Sequence, residues 1–264
     1  MDRRKFLNSM SAATAATIAG ATTLSEKADA LEDAMSAELG KKRRQKPPGL
    51  CYLDGGRPKY APGDNRPWLQ HDEPMLPKMP EKPTLIDFFK LRFEPADHLL
   101  QSAKLAMDNG EDEKIILACL LHDICAFRLI NTDHGYWCAQ LLEPYVTEEV
   151  RWAIEKHQAL RFFADPSVNY EYPEAYIKYF GKDYKIEPYL EKEHREAKNH
   201  KWYMTSRKIT INDLYSFEDD VDVDLDEFTD IIGRGFKQPK EGLGFDSSRS
   251  AHMWRSFIWP NNFL

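Results

Sequence analysis

The segment Leu120-Leu121-His122-Asp123-Ile124 joins an apolar run to an adjacent histidine and aspartate. The residues before it, 114–121, are apolar on nearly every side of a helix, which predicts a helix at the centre of a bundle. Its C-terminal end then delivers His122 and Asp123 to the interior. Buried imidazole and carboxylate groups are costly without partners, and a metal ion supplies one. The segment therefore predicts a helical bundle around a metal site.

Three further histidines are predicted to face the same interior. His98 opens a helix that Asn109-Gly110 ends, and His134 opens another. Thr147 is the predicted N-cap of the helix that carries His157 on its apolar face. Several imidazoles with a carboxylate, whose two oxygens can bridge two metals, suit divalent ions such as iron or manganese better than a structural zinc.

The rest of the chain also indicates helices, and few segments read as strands. Thr84 is a predicted N-cap for a short helix through Leu91, and Pro188 opens a charged helix to about Lys201. An amphipathic helix is predicted behind the acidic run that ends near residue 226. The predicted fold class is therefore all-α.

Composition limits the classes of function. The chain has 264 residues, 42% hydrophobic and 12% aromatic, which is enough for one large folded domain. The net charge of −7 does not favour a nucleic-acid partner. The sequence contains no run of 18 or more apolar residues, so we expect no stable membrane span.

The N-terminus predicts export and removal of a leader. Arg3-Arg4-Lys5-Phe6-Leu7 resembles the twin-arginine signal, and Ala28-Asp29-Ala30 matches a cleavage site. Residues 1–30 are therefore a predicted signal peptide, the twin-arginine translocase a transient partner and the periplasm the predicted location. A polar, proline-rich arm (31–83) follows.

The predicted domains after the arm are a metal-binding bundle (84–218) and a C-terminal extension (219–264). The extension carries an aromatic tail that we expect to dock on the bundle. Cys119, Cys125 and Cys138 lie in apolar helical patterns, which favours small buried side chains over a disulfide.

Four short motifs surround the histidines in order along the chain. They are His98-Leu99-Leu100-Gln101-Ser102-Ala103, Leu120-Leu121-His122-Asp123-Ile124, His134-x-x-x-Cys138-Ala139 and His157-x-x-x-Arg161. Together they resemble the HD-domain superfamily of metal-dependent phosphohydrolases. They are more similar to one branch, the mixed-valence diiron oxygenases that act on organophosphonates, with inositol oxygenase a more distant relative. The resemblance covers about residues 84–218 and implies an HD-domain helical bundle.

The resemblance also implies a ligand set, two iron ions and a reaction. His98, His122 and Asp213 would hold one ion and His134 and His157 the other, with Asp123 bridging both. Asp213 takes the place of the family's last ligand by spacing and context, with Asp183 and Asp219 left open as alternatives. The implied enzyme oxidises a small hydroxylated substrate with O2.

Arg161 stands where the phosphonate branch has an anion-binding lysine. The resemblance therefore implies that Arg161 and the bridging Asp123 are catalytic, with Arg161 clamping a phosphonate, phosphate or carboxylate. The alternative interpretation of Arg161 is a surface salt bridge.

Two other functions fit the same motifs. One is an HD phosphohydrolase or phosphodiesterase that uses manganese or another divalent metal, and the other is a non-catalytic metal-binding protein. The chain also departs from its relatives after Ile124, where Cys125-Ala126 replaces a glycine and a substrate-contacting histidine or lysine. This departure predicts a substrate different from that of the relatives.

Overall fold

A computed structural model describes residues 27–28, 31, 77–93, 96–126, 133–174, 176–177, 185–214, 216 and 221–259. The regular structure in this part of the chain is helical. In these ranges the only β-type pairing is an isolated bridge between Asp165 and Tyr170. The α-helices are α1 (Leu85–Leu91), α2 (Asp97–Asp108), α3 (Glu113–Leu121), α4 (His134–Leu142), α5 (Glu148–Leu160), α6 (Pro188–Lys198), α7 (Tyr203–Leu214), α8 (Thr229–Gly235) and α9 (Ala251–Ile258). The all-α prediction is confirmed.

Local sequence sets several of the helix ends. The Thr84 side chain accepts from the backbone N–H of Asp87, whose carboxylate accepts from the Thr84 N–H, so α1 begins with a complete capping box. Thr147 caps α5 through Val150. Gly110, just after α2, has a φ of +71°, which glycine adopts without strain. The three predicted helix ends are confirmed.

Helix α3 lies at the centre, as its sequence predicted. Every residue from Ile115 to Leu121 is buried. It packs against α2, α5, α7 and α8, so its C-terminal end opens into the middle of the bundle. This central position places the two residues that follow, His122 and Asp123, between helices that precede α3 in the sequence and helices that come after it.

Helix α7 was not predicted, because its buried face is polar. Ser206 and Arg207 are fully buried on it. The Ser206 hydroxyl donates to the Ala153 carbonyl at 2.8 Å, and Arg207 Nη1 donates to the Leu160 carbonyl at 3.0 Å. Since α7 is bound to α5 by hydrogen bonds as well as by apolar contacts, no apolar period marks it. Helix α6 ends at Lys198, slightly before the expected end.

The C-terminal segment returns to the start of the bundle. The Trp254 ring of α9 meets the Phe88 ring of α1 edge-on, with centroids 4.8 Å apart. Leu243 donates to the Pro83 carbonyl at 2.8 Å. Gly242 makes this approach possible, because a Cβ on it would lie 2.6 Å from the backbone of Lys82. Trp254 and Phe257 of the tail are thus part of the core, and Trp259 packs against it.

Most of the predicted signal peptide and arm lies outside the described residues. Within 1–30 only Lys27 and Ala28 are described; both are helical, and Ala28 is fully buried. Cleavage and export stay predictions. In the described part of the chain no helix is both long and apolar enough to cross a membrane.

The cysteines that are described carry no disulfide. Cys119, Cys125 and Cys138 are free thiols without exposed surface, as predicted for small buried side chains. Cys51 lies outside the described residues. The Cys125 N–H donates to the Cys138 sulfur at 3.1 Å, which joins the segment after α3 to α4.

The contact between α9 and α1 predicts that Trp254→Ala strongly destabilises the fold. The side chain is fully buried among aromatic rings, so its removal leaves a cavity and should lower the free energy of unfolding by about 3–5 kcal/mol. Phe245→Ala is the control, because Phe245 is 42% exposed and should cost about 0.5 kcal/mol or less. Urea unfolding measures both, and equal midpoints for the two variants would show that the tail does not contribute to the core.

Candidate metal centre

The first group of ligand atoms comes from α2 and the end of α3. His98 stands in the first turn of α2, and His122 follows α3 directly. Their Nε2 atoms lie 3.3 Å apart. Asp123 Oδ2 lies 3.7 Å from His98 Nε2 and 3.4 Å from His122 Nε2. The three side chains are buried and point at one common position.

Asp213 joins this group from the last turn of α7. Its Oδ1 lies 3.1 Å from His98 Nε2 and 3.7 Å from His122 Nε2. The side chain is close to fully buried. The structure therefore places Asp213 beside His98 and His122, the two histidines with which the resemblance grouped it. Of the two alternatives to it, Asp183 and Asp219, neither is among the described residues.

The second group comes from α4 and α5. His134 begins α4, and His157 lies in the last turn of α5. Their Nε2 atoms lie 3.2 Å apart, and Asp123 Oδ1 lies 3.0 Å from His134 Nε2 and 3.4 Å from His157 Nε2. The exposed fraction of each histidine is 1%.

Asp123 links the two groups through its two oxygens. Oδ2 faces His98 and His122, whereas Oδ1 faces His134 and His157. Oδ1 is buried and accepts no hydrogen bond, although an imidazole nitrogen is 3.0 Å away. The ligand atoms of His98, His122 and Asp123 lie within 4.8 Å of one another, and so do those of Asp123, His134 and His157. Converging donors around an unsatisfied carboxylate oxygen fit a metal ion, so these buried groups could hold one.

The other ring nitrogens fix the orientation of three imidazoles. Nδ1 of His122 lies 2.7 Å from the Cys119 carbonyl, and Nδ1 of His157 lies 2.5 Å from the Ile154 carbonyl. Nδ1 of His98 lies 2.8 Å from the Ser216 hydroxyl. Because a carbonyl can only accept, Nδ1 carries the proton in His122 and His157. Nε2 is therefore the nitrogen through which each ring can bind an ion when the ring is neutral.

Burial and charge set the protonation states of the centre. Burial lowers the pKa of His122, but the carboxylates of Asp123 and Asp213 outweigh it and raise this pKa to about 9. Burial lowers the pKa of His157 to about 4, since Asp123 opposes the shift only in part. Burial raises the carboxyl pKa values, yet the neighbouring imidazoles hold the pKa of Asp123 and that of Asp213 well below the usual range. These four groups thus carry excess negative charge at pH 7, which attracts a cation.

Gly135 allows the close approach of α4 and α5 that joins the second group. A Cβ on Gly135 would lie 3.0 Å from the Ile154 carbonyl oxygen and 3.1 Å from that of Glu155. Its N–H donates to the Gln158 side chain at 3.0 Å. These contacts flank His134 on one helix and His157 on the other.

Arg161 caps α5 one turn after His157. Its exposed fraction is 2%, so the alternative of a surface salt bridge is wrong. Its backbone carbonyl accepts from the Tyr170 hydroxyl at 2.9 Å. The Arg161 side chain is therefore buried at the end of α5.

Two residues of the site were missed in the sequence. Ser216 contacts His98 across 118 residues of sequence, and a lone serine after Tyr215 carries no local signal. Gly135 had a signal, because a small residue beside a ligand often marks a close helix contact. The short connector 127–132 before α4 lies outside the described residues.

Comparison with known proteins adds no family assignment. No protein-family model matches the chain, and no curated protein matches it either. The functional interpretation therefore depends on the residues and their geometry.

The approach of α4 to α5 predicts a specific effect of Gly135→Ala. The added methyl group must displace the Ile154 and Glu155 carbonyls, so stability should fall by about 1–3 kcal/mol. His134 and His157 should also separate, and metal affinity should fall. Gly233→Ala is the control, because this α8 glycine has open space around its Cβ position and alanine should add up to about 1 kcal/mol of stability. Thermal unfolding with and without metal measures both; a neutral Gly135→Ala would contradict the proposed contact.

The raised pKa of His122 predicts proton release when a divalent ion binds. At pH 7 its imidazole is protonated, since its pKa is about 9, and it must lose that proton to coordinate. Apparent affinity should therefore rise about tenfold per pH unit between pH 6 and 8 and level off above about pH 9. His157, with a pKa of about 4, adds no such dependence. Calorimetric titration with cobalt(II) in buffers of different ionisation enthalpy counts the protons, and an affinity independent of pH would contradict this assignment.

Proposed function

We propose that the protein is a metalloenzyme of the HD-domain type and acts as a non-haem diiron oxygenase. Its substrate is a small hydroxylated, anionic molecule that it oxidises with O2. The observation that carries the proposal is the arrangement around Asp123, in which each carboxylate oxygen faces its own pair of imidazoles. A carboxylate placed in this way suits two ions better than one.

The two groups differ in a way that favours oxygenase chemistry. His98, His122, Asp123 and Asp213 offer four ligands to one ion, whereas the other is offered His134, His157 and Asp123. Two histidines and one carboxylate with open positions are the usual donor set of non-haem iron oxygenases. We therefore assign substrate binding to the His134 side of the centre.

The chain's own residues exclude water and hold the substrate. Bound iron would supply the electrons with which O2 is activated. His122, His157 and Arg161 are all 2% exposed or less, so solvent is kept from the reacting groups. Arg161 binds the anionic group of the substrate, and its burial strengthens that interaction. Asp123 keeps the two halves in a fixed relation.

A metal-dependent phosphohydrolase is the second candidate. The bridged pair of sites supports it as well, because two ions can bind and activate water for attack on a phosphate ester. It predicts turnover with manganese and no need for O2. The third candidate, a non-catalytic metal-binding protein, predicts binding without turnover of either kind.

We also propose export to the periplasm by the twin-arginine route. The support is the motif Arg3-Arg4-Lys5-Phe6-Leu7 with the cleavage site at Ala28-Asp29-Ala30. A fusion to a reporter that requires folded export, compared with an Arg3→Lys, Arg4→Lys variant, tests this proposal.

Metal content and electron paramagnetic resonance test the proposed centre. After anaerobic iron loading, the wild-type protein should bind about two ions per chain and give a spin-coupled signal when half reduced. Asp213→Ala should weaken the binding of one ion, and His134→Ala should weaken the binding of the other. Asp123→Asn should weaken the binding of both. His252→Ala is the control, since this exposed histidine on α9 lies outside both groups.

Two outcomes would overturn the oxygenase proposal. One is retention of manganese with phosphatase turnover and no O2 uptake, and the other is less than one metal ion per chain after anaerobic loading. Full metal content in Asp213→Ala or in His134→Ala would remove that residue from the ligand set. The substrate screen uses O2 uptake with small hydroxylated phosphonates, phosphates and carboxylates.

A further inference from the structure

Ser216 is a fully buried residue that connects two ligands of the first group. Its hydroxyl donates to the Asp213 carbonyl at 2.6 Å and lies 2.8 Å from His98 Nδ1. A hydroxyl has one hydrogen, and here the Asp213 carbonyl takes it. The Ser216 oxygen therefore accepts from the Nδ1–H of His98, with the Ser216 carbonyl as a second acceptor at 3.3 Å. Nε2 of His98, the atom that would bind an ion, then faces Asp213 Oδ1 at 3.1 Å.

The other oriented histidines do not need such a side chain. His122 and His157 each direct Nδ1 to the carbonyl three residues earlier, Cys119 and Ile154, within a formed helix. The backbone supplies these acceptors whatever the side chains are. His98 is the second residue of α2, so no earlier turn of its own helix offers a carbonyl. Its acceptor must come from elsewhere in the chain.

We infer that Ser216 is the positioning residue that sets the metal affinity of the half of the centre formed by His98 and Asp213. The inference rests on the proposed function of the cluster as a metal centre. His98 is on α2 and Asp213 is on α7, and one hydroxyl fixes the ring of the first and the last turn of the second. Groups that orient metal-bound histidines in this way change metal affinity about 10–100-fold when they are lost.

The second half of the centre should be insensitive to Ser216. His134 and His157 come from α4 and α5, and the contacts of Ser216 are to His98 and Asp213. Loss of the hydroxyl should therefore weaken the binding of one ion and leave the binding of the other unchanged. A general loss of structure would weaken both, which separates a positioning role from a structural one.

The chain offers a matched control at Ser206. This serine is also fully buried, and its hydroxyl donates to the Ala153 carbonyl at 2.8 Å, so Ser206→Ala removes a comparable buried hydrogen bond. Within the described part of the chain, none of its hydrogen bonds reaches a ligand histidine. Ser216→Thr keeps the hydroxyl and serves as the conservative variant.

The experiment is a cobalt(II) titration of the full chain, followed by absorption spectroscopy and chelator competition, with thermal unfolding of each metal-free variant. In Ser216→Ala, one of the two binding steps should weaken about 10–100-fold and the other should match wild type. Ser206→Ala should bind like wild type in both steps. Ser216→Thr should recover most of the lost affinity.

The results that contradict the inference differ from those that contradict the proposed function. Two wild-type binding steps that are unchanged in Ser216→Ala would overturn the role of Ser216 alone. Equal weakening of both steps, or the same loss in Ser206→Ala, would also overturn it by showing a structural effect. A wild-type chain that binds no cobalt(II) would overturn the proposed metal centre and this inference with it.

Discussion

The burial of two carboxylates, Asp123 and Asp213, is the constraint on which the centre depends. Removal of a carboxylate from water is costly unless its charge is compensated and its oxygens have partners. Here the partners are four imidazoles from four helices, and the buried Oδ1 of Asp123 still lacks a hydrogen bond. An arrangement that is left with excess negative charge and unsatisfied oxygen is stable when a cation completes it. The bundle thus buries a polar cluster as well as apolar surface, and that cluster could hold a metal ion.

Two features of packing bring the ligands together. Helix α3 is buried on all sides, so the residues after it are held at the centre with little freedom. Gly135 lets α4 approach the carbonyls of α5 closely, which sets the separation of His134 and His157. Apolar packing therefore positions Asp123. The lack of a side chain at Gly135 lets His134 and His157 come close to each other.

The polar contacts of α7 complete the site from the opposite side. This helix is held to α5 through Ser206 and Arg207. Its last turn carries Asp213, whose backbone carbonyl accepts from the Ser216 hydroxyl. In the proposed enzyme the two halves therefore differ in character. One half is closed by a second carboxylate and a positioning serine, and the other is left open for substrate. In the proposed enzyme, this difference in ligand number would give the two ions separate roles.

The sequence by itself determined the helix caps, the central helix and the four histidines, because these depend on local hydrogen bonds and on the 3.6-residue apolar period. Thr84, Thr147 and the apolar run through Leu121 could all be interpreted in this way. Only the tertiary structure decided that α7 is a helix, that Asp213 meets His98, that Arg161 is buried and that Ser216 orients an imidazole. Each of these depends on polar partners that are distant in the chain, as His98 and Ser216 are. A polar contact between residues distant in sequence leaves no periodic pattern in that sequence. Only the packed structure shows which residues are partners.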